Sequence, residues 1–310
     1  MELGAHLPLI DFGTRVSLPG LKTYARAAAA LGFRYLCAND HLLFSKPWLD
    51  GPTALAAVID ESQDLTLATT VSLPVVRGPV QLAKTLAALD VLSEGRLVAG
   101  VGPGSSARDY AAVGLDFDER WRRFDESLQA LRALLESDSV GFEGEHYSTG
   151  GISLEPPPAQ RPGVPIWVAS WGSPPGLRRA ARFGDGWLAS AYNTTPEAFR
   201  TGLDRLADAL RLEGKEPATF PNAIATAWLF VTEDKGAAER MLADVLAPML
   251  NRTVEELRSL SLPIGPAEVC AERLAAFADA GAQRLFVWPL RDEAAQLELF
   301  RERVAPLVER

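Results

Sequence analysis

The chain has 310 residues, 47% of them hydrophobic and 23% charged, which excludes a disordered chain and suits a globular protein with a large buried core. Its net charge of -9, with no lysine- or arginine-rich tract, argues against nucleic acid and anionic membrane surfaces and leaves a small molecule as the expected partner. No apolar run of about eighteen residues and no basic-plus-apolar leader is visible, so the expected location is cytoplasmic, with no membrane span.

Strand-like runs occur at residues 3–9, 33–38, 65–71, 96–101, 166–170, 186–190, 224–231 and 284–288. Helical patterns separate most of them, at 21–31, 79–92, 117–135, 196–212, 266–280 and 293–308. Such alternation predicts βαβ units and a parallel sheet, and eight units suit a closed α/β barrel better than an open sheet. The expected fold is a (β/α)8 TIM barrel with insertions, one domain over residues 1–310. Pro52, Pro79, Pro196 and Pro266 open helices, and Gly32 and Gly281 follow them, as first-turn and cap positions favour. Two segments exceed a minimal barrel. Residues 140–158 read as a β-hairpin or extended insertion, and 235–263 as an excursion with short helices near 237–246 and 254–260. Cys37 and Cys270 lie far apart in apolar patterns without CxxC spacing and are expected to be buried thiols, not a metal site.

Residues just after barrel strands form the ligand face, so the strand ends name the candidates. His41 follows the second strand beside Asp40, an arrangement that can hold an imidazole in one tautomer and makes His41 the best general-acid candidate. The alternative is that Asp40 caps a turn and His41 packs beneath it. His6 in the first strand reads as a mouth residue or a satisfied core histidine. Gly100, Gly102 and Gly104 allow close approach of backbone to a ligand or simply a tight turn; their GxGxG spacing after the fourth strand is no Rossmann fingerprint. Ser170, Trp171, Gly172 and Ser173 precede a helix beginning near Pro174, followed by Arg178, Arg179 and Arg182. That helix N-terminus can hold a phosphate, with the arginines either assisting or forming a solvated face. Trp48, Tyr192 and Trp288 fall on or near strand ends and are expected to line a substrate pocket for a flat or apolar molecule. HExxH, GxSxG and GKS/T motifs are missing, which leaves zinc protease, α/β-hydrolase and P-loop readings unsupported.

Several long segments resemble the bacterial luciferase-like family of flavin- and F420-dependent oxidoreductases. They are YARAAAALGFRYLCANDH (24–41), LATTVSLPVVRGPVQLAKTLAALDVLSEGRLVAGVGPG (67–104), ERWRRFDESLQALRALL (119–135), PIWVASWGS with ARFGDGW (165–187) and IGPAEVCAERLAAFADAG (264–281). The resemblance implies a barrel whose mouth holds a flavin or deazaflavin ring, with the cofactor phosphate near Ser170 to Ser173. It also implies a non-prolyl cis peptide between Thr70 and Val71, in a bulge at the end of the third strand that backs the ring. Thr70, Val71, Ser72, Gly102, Gly104 and Ser105 are then cofactor contacts, and Asp40 and His41 match the family's Asp-His pair, whose histidine is proposed to serve hydride transfer. Ser105 stands where some sugar-phosphate dehydrogenases of the family carry glutamate, which weighs against that substrate.

A deazaflavin transfers hydride only, whereas a flavin can also activate oxygen. The short chain with Asp-His and GVG-x-G looks more like the F420-type members, so the expected activity is hydride transfer between F420 and a small organic substrate. An FMN-dependent monooxygenase is the alternative, and a non-catalytic flavin-binding relative a further one. Family analogy also implies a homodimer, for which the alanine-rich helices after the second and third strands offer a face.

Overall fold

Each apolar run forms a strand followed by a helix that carries the chain back to the same end of the sheet, which makes every strand parallel to its neighbours. The chain is described by a computed structural model covering residues 1–13, 15–136, 138 and 140–308; of the expected domain, positions 14, 137, 139, 309 and 310 lie outside the described residues. The strands are β1 (Glu2–His6), β2 (Tyr35–Ala38), β3 (Thr66–Ser72), β4 (Leu97–Val101), β5 (Ile166–Ala169), β6 (Gly186–Ser190), β7 (Asn222–Val231), β8 (Ile264–Gly265) and β9 (Arg284–Pro289). The order β6-β5-β4-β3-β2-β1-β9-β7 closes through a β6–β7 pairing, giving an eight-stranded parallel barrel; β8 adds only to the outer end of β7. The expected (β/α)8 architecture is therefore the observed one.

Side chains alternate across each strand. One set packs outward against the helices in a continuous core that includes Leu36, Leu67, Ile166, Leu285 and the buried faces of the helices. The other points inward, where Tyr35, Trp167 and Phe286 fill the barrel with smaller partners such as Ala68, Ala223 and Ala225. Gly4 is required there, because a Cβ on it would lie 2.4 Å from the Phe286 ring. At the strand starts Arg284 pairs with Glu2 at 2.7 Å and covers the Tyr35 and Trp167 rings. The N-terminal end of the barrel is thus plugged, and ligand space is left at the C-terminal end.

Differences from the expected elements have local causes. The first strand ends at His6, not residue 9, because Pro8 has no N–H for the ladder. The helix expected over 293–308 runs as Glu293–Leu299, widens to a π turn over Phe300–Val304 and resumes at Ala305. The excursion repeats this, with a π turn at Met241–Leu246 before the helix Ala247–Leu250. In both places a proline, Pro306 or Pro248, removes the N–H that would close the preceding α-helical bond. The insertion at 140–158 forms no hairpin ladder beyond one antiparallel bridge, Glu143 to Ser148. Cys37 and Cys270 are free and buried, as expected. Among the described residues no helix is long and apolar enough to cross a membrane.

Candidate active site

A cavity of about 410 Å³ opens where β2 to β7 end, with walls from the loops that follow them. His41 stands at its wall, three residues beyond β2. Its Nδ1 lies 3.1 Å from Oδ2 of Asp109, whose Oδ1 accepts the Leu43 N–H at 2.8 Å. A carboxylate only accepts, so Nδ1 carries a proton, and in the neutral imidazole Nε2 is the nitrogen that keeps its lone pair. Asp109 is buried in the short helix Ala107–Ala112, which Ser106 caps by accepting the Asp109 N–H at 3.2 Å. This helix was not expected from the sequence, and with it the partner of His41 was missed.

Asp40 is a correction. Its side chain does not orient His41; both oxygens accept from Arg77, Nε to Oδ2 and Nη2 to Oδ1, each at 2.5 Å. Arg77 closes the short helix Pro74–Arg77 and also donates to Asp50, the cap of the helix Gly51–Ala56. Burial alone would raise the Asp50 carboxyl, but bonds from Thr53 and Arg77 outweigh it and hold the group below its ordinary range. Asp40 also borders the cavity, with each oxygen engaged by Arg77.

The third strand carries the expected irregularity: its register against β4 shifts between Thr69 and Ser72, and the Thr70–Val71 peptide is cis. Thr70 and Val71 form cavity wall, whereas Ser72 points into the interior, fully buried, and does not. Gly102, Gly104 and Ser105, after the neighbouring strand β4, continue the wall beside them. Glycine is needed at 102, where a Cβ would stand 2.9 Å from the Val71 side chain.

Ser173 caps the helix Pro174–Phe183 by accepting the Gly176 N–H, and Ser170 accepts the Gly172 N–H at 3.2 Å. Ser170, Trp171, Ser173 and Gly176 reach the cavity; Gly172 shapes the turn at φ +89 without reaching it. The expected arginines do not serve this end. Arg179 pairs with Asp125 and stacks on Trp121 at 4.9 Å, Arg182 covers Phe183, and Arg178 is not on the wall. The arginine that does line the cavity is Arg120, stacked 4.0 Å over Phe117 at the start of the helix Arg120–Leu135. The sequence reading had placed it inside one long helix from residue 117, whereas Phe117–Glu119 is a separate 3-10 turn at the mouth.

Of Trp48, Tyr192 and Trp288, expected to line the pocket, and His6, read as a mouth or a core residue, only Tyr192 reaches the cavity. His6, Trp48 and Trp288 form an aromatic cluster outside it: Trp288 stacks on His6 and on Trp228, each at 4.5 Å, and Trp48 stands edge-on to Trp288 at 5.7 Å and to His41 at 4.8 Å. An antiparallel bridge between Ile10 and Trp48 ties the Trp48 loop to the segment after β1, where the Trp48 ring meets Trp288.

His6 is fully buried, and desolvation lowers its pKa from 6.5 to about 3. Between those values the unfolded chain binds a proton that the folded chain does not. His6 therefore contributes stability that is complete above pH 6.5 and is lost as pH falls toward 3, by roughly 1.4 kcal/mol per pH unit. Denaturant titrations from pH 4 to 7 should show the wild type losing stability more steeply than His6→Phe by about that amount; equal slopes would contradict it.

The cavity wall thus brings together the Ser170 and Ser173 hydroxyls at a helix N-terminus, the Arg120 guanidinium, apolar side chains and the positioned imidazole of His41. A planar molecule with an anionic tail matches this arrangement. A sequence profile described as luciferase-like monooxygenase matches residues 10–256. An F420-dependent hydroxymycolic acid dehydrogenase of Mycobacterium tuberculosis is 32% identical over 228 residues, which cover 70% of this chain but only 61% of that protein. An F420-dependent glucose-6-phosphate dehydrogenase of Rhodococcus erythropolis is 28% identical, over 99% of this chain and 97% of that one. Among solved structures, an F420-dependent secondary alcohol dehydrogenase in complex with an F420-acetone adduct superposes with a TM-score of 0.84 at 20% identity, covering 99% and 98% of the two chains; at that identity the likeness concerns the fold. With four-fifths of its length matched by the profile and its barrel shared, this chain belongs to the luciferase-like monooxygenase family.

Proposed function

We propose that the chain is an F420-dependent oxidoreductase acting on a small organic substrate, with residues 1–310 as one domain. The observation that carries the proposal is a single cavity joining an anion-suited end, built by Ser170, Ser173 and Arg120, to the His41–Asp109 pair. The curated relatives named above support F420 over FMN.

The residues present fit such a cofactor. The Ser170 and Ser173 hydroxyls and the Arg120 guanidinium would hold its phosphate, with the positive end of the helix dipole behind them; Pro174 and Pro175 carry no N–H, and the Gly176 N–H is taken by Ser173 Oγ. Val71 and Gly102, in contact through the space glycine leaves, would present a flat apolar face to its ring. When bound, F420 supplies a two-electron hydride donor or acceptor. Asp109 keeps the His41 proton on Nδ1, so that Nε2 can take a proton from a substrate hydroxyl, or return one to a carbonyl oxygen. The loop from His41 to Trp48, packed by Phe44 against both rings, keeps water from the back of the imidazole. Ser105 at the wall offers no carboxylate, so a sugar phosphate is not the substrate we propose.

Titration of F420 into the protein, followed by quenching of its fluorescence, tests the reading: saturable binding supports it. Tight uptake of FMN with oxygen consumption by the reduced flavin, and no response to F420, would replace it with the monooxygenase. A homodimer is part of the same reading; Val80, Val91 and Leu92 stand exposed on the helix Pro79–Leu92, and sedimentation of the titrated sample gives its mass.

A further inference from the structure

His6 lies under the cavity and not in its wall, yet it touches two residues that are in the wall, Thr70 and Thr226. Both sit where a strand departs from regular pairing. β3 shifts register between Thr69 and Ser72, and β7 shifts against β9 between Ile224 and Ala227. Thr226 has φ +57, a left-handed conformation that a β-branched residue rarely adopts, and its N–H points to His6 Nε2 at 3.2 Å. That bond fixes the tautomer: Nε2 accepts, so Nδ1 carries the proton and donates to Thr70 Oγ1 at 3.3 Å. Thr70 in turn donates to the Ala38 carbonyl at 3.4 Å, at the end of β2. The imidazole is held flat on Trp288, with centroids 4.5 Å apart and planes within 10°.

We infer that His6 is a positioning residue: a neutral imidazole that pins the β3 and β7 irregularities to one another and so sets the floor on which a ring cofactor rests. The inference builds on the function proposed above. A packing residue would need only its volume and its stacking on Trp288. His6 also makes a donor and an acceptor bond in opposite directions, and each ends on a cavity residue from a different strand. The Thr226 amide, turned out of the ladder and buried, has no other partner among the described residues.

Three substitutions separate the parts of this role. His6→Phe keeps the ring over Trp288 and removes both bonds. His6→Gln places an amide oxygen within reach of the Thr226 N–H but gives up Thr70. His6→Asn does the reverse. Two readouts are taken: hydrogen exchange at the Thr226 amide in the protein without cofactor, and affinity and bound absorption spectrum with F420, or with FMN if that is what the wild type binds. We expect Thr226 exchange about tenfold or more faster in His6→Phe and His6→Asn than in His6→Gln and wild type, from loss of a buried hydrogen bond. We expect cofactor affinity about tenfold weaker in His6→Phe, with a shifted spectrum, and smaller losses in the other two. If His6→Phe does not fold, the Gln and Asn variants decide by their opposite effects on Thr226. Unchanged exchange in all folded variants, or affinity within about twofold of wild type with an unchanged spectrum, would overturn the inference. Failure of the wild type to bind either cofactor overturns the functional reading instead, and the exchange data then judge the pin alone.

Discussion

Replacing His41 by alanine is expected to lower turnover by roughly 10² to 10⁴-fold while leaving F420 affinity nearly unchanged. The expectation follows from where His41 stands. Its ring reaches the cavity wall, its Nδ1 is held by Asp109, and Ser173 and Arg120, proposed to hold the anionic tail, come from other elements. On the proposed function, loss of the imidazole removes the proton-moving group and leaves Ser173 and Arg120 in place. Asp109→Asn should fall between the two proteins, because an amide still accepts the Leu43 N–H but can turn its NH₂ toward Nδ1 and favour the other tautomer. Single-turnover rates and cofactor titrations on the three proteins separate the effects. Equal losses of binding, folding stability and turnover in His41→Ala would assign the residue to packing.

The second large effect concerns stability. Arg77→Met leaves the Asp40 carboxylate, 1% exposed, without the guanidinium that holds both its oxygens. Burial works against the Arg77 charge, yet Asp40 and Asp50 more than offset it and raise its pKa. Removing one partner of a buried pair costs about 3–5 kcal/mol, because the remaining charge is left desolvated. Replacing both, as Asp40→Leu with Arg77→Met, should recover much of the loss, since no buried charge is then stranded; Asp50, the other partner of Arg77, is 38% exposed and keeps its bond from Thr53. Guanidinium unfolding of the single and double variants measures this, and a loss below about 1 kcal/mol in Arg77→Met would show that water reaches Asp40.

These two residues show what the sequence could reveal. The strands were legible because short apolar runs alternate with helices whose starts carry proline, and the parallel barrel follows from that repetition. The GVG-x-G turn and the irregular end of β3 were legible as motifs. Partners were not. Asp109 lies 68 positions from His41 and Arg77 lies 37 from Asp40, and only the register of the closed barrel brings them together. Adjacency in sequence suggested an Asp40–His41 pair, but the two carboxylate contacts diverge, Asp40 toward Arg77 and His41 toward Asp109. Trp48 and Trp288 were rightly placed near strand ends and wrongly placed in the pocket, because pattern locates a strand end without saying which neighbour covers it; His6, open between the mouth and the core, takes the core. Arg120 was hidden for a related reason: a helix that begins three residues late moves its first turn to the cavity mouth.

The central claim is that one cavity binds a deazaflavin beside His41. It is tested most directly by titrating F420 and FMN in parallel into the purified protein and following fluorescence and absorption. The account predicts saturable F420 binding that weakens when Ser173 and Arg120 are replaced together and persists in His41→Ala. Tight binding of FMN with no response to F420, or F420 binding indifferent to Ser173 and Arg120, would contradict it.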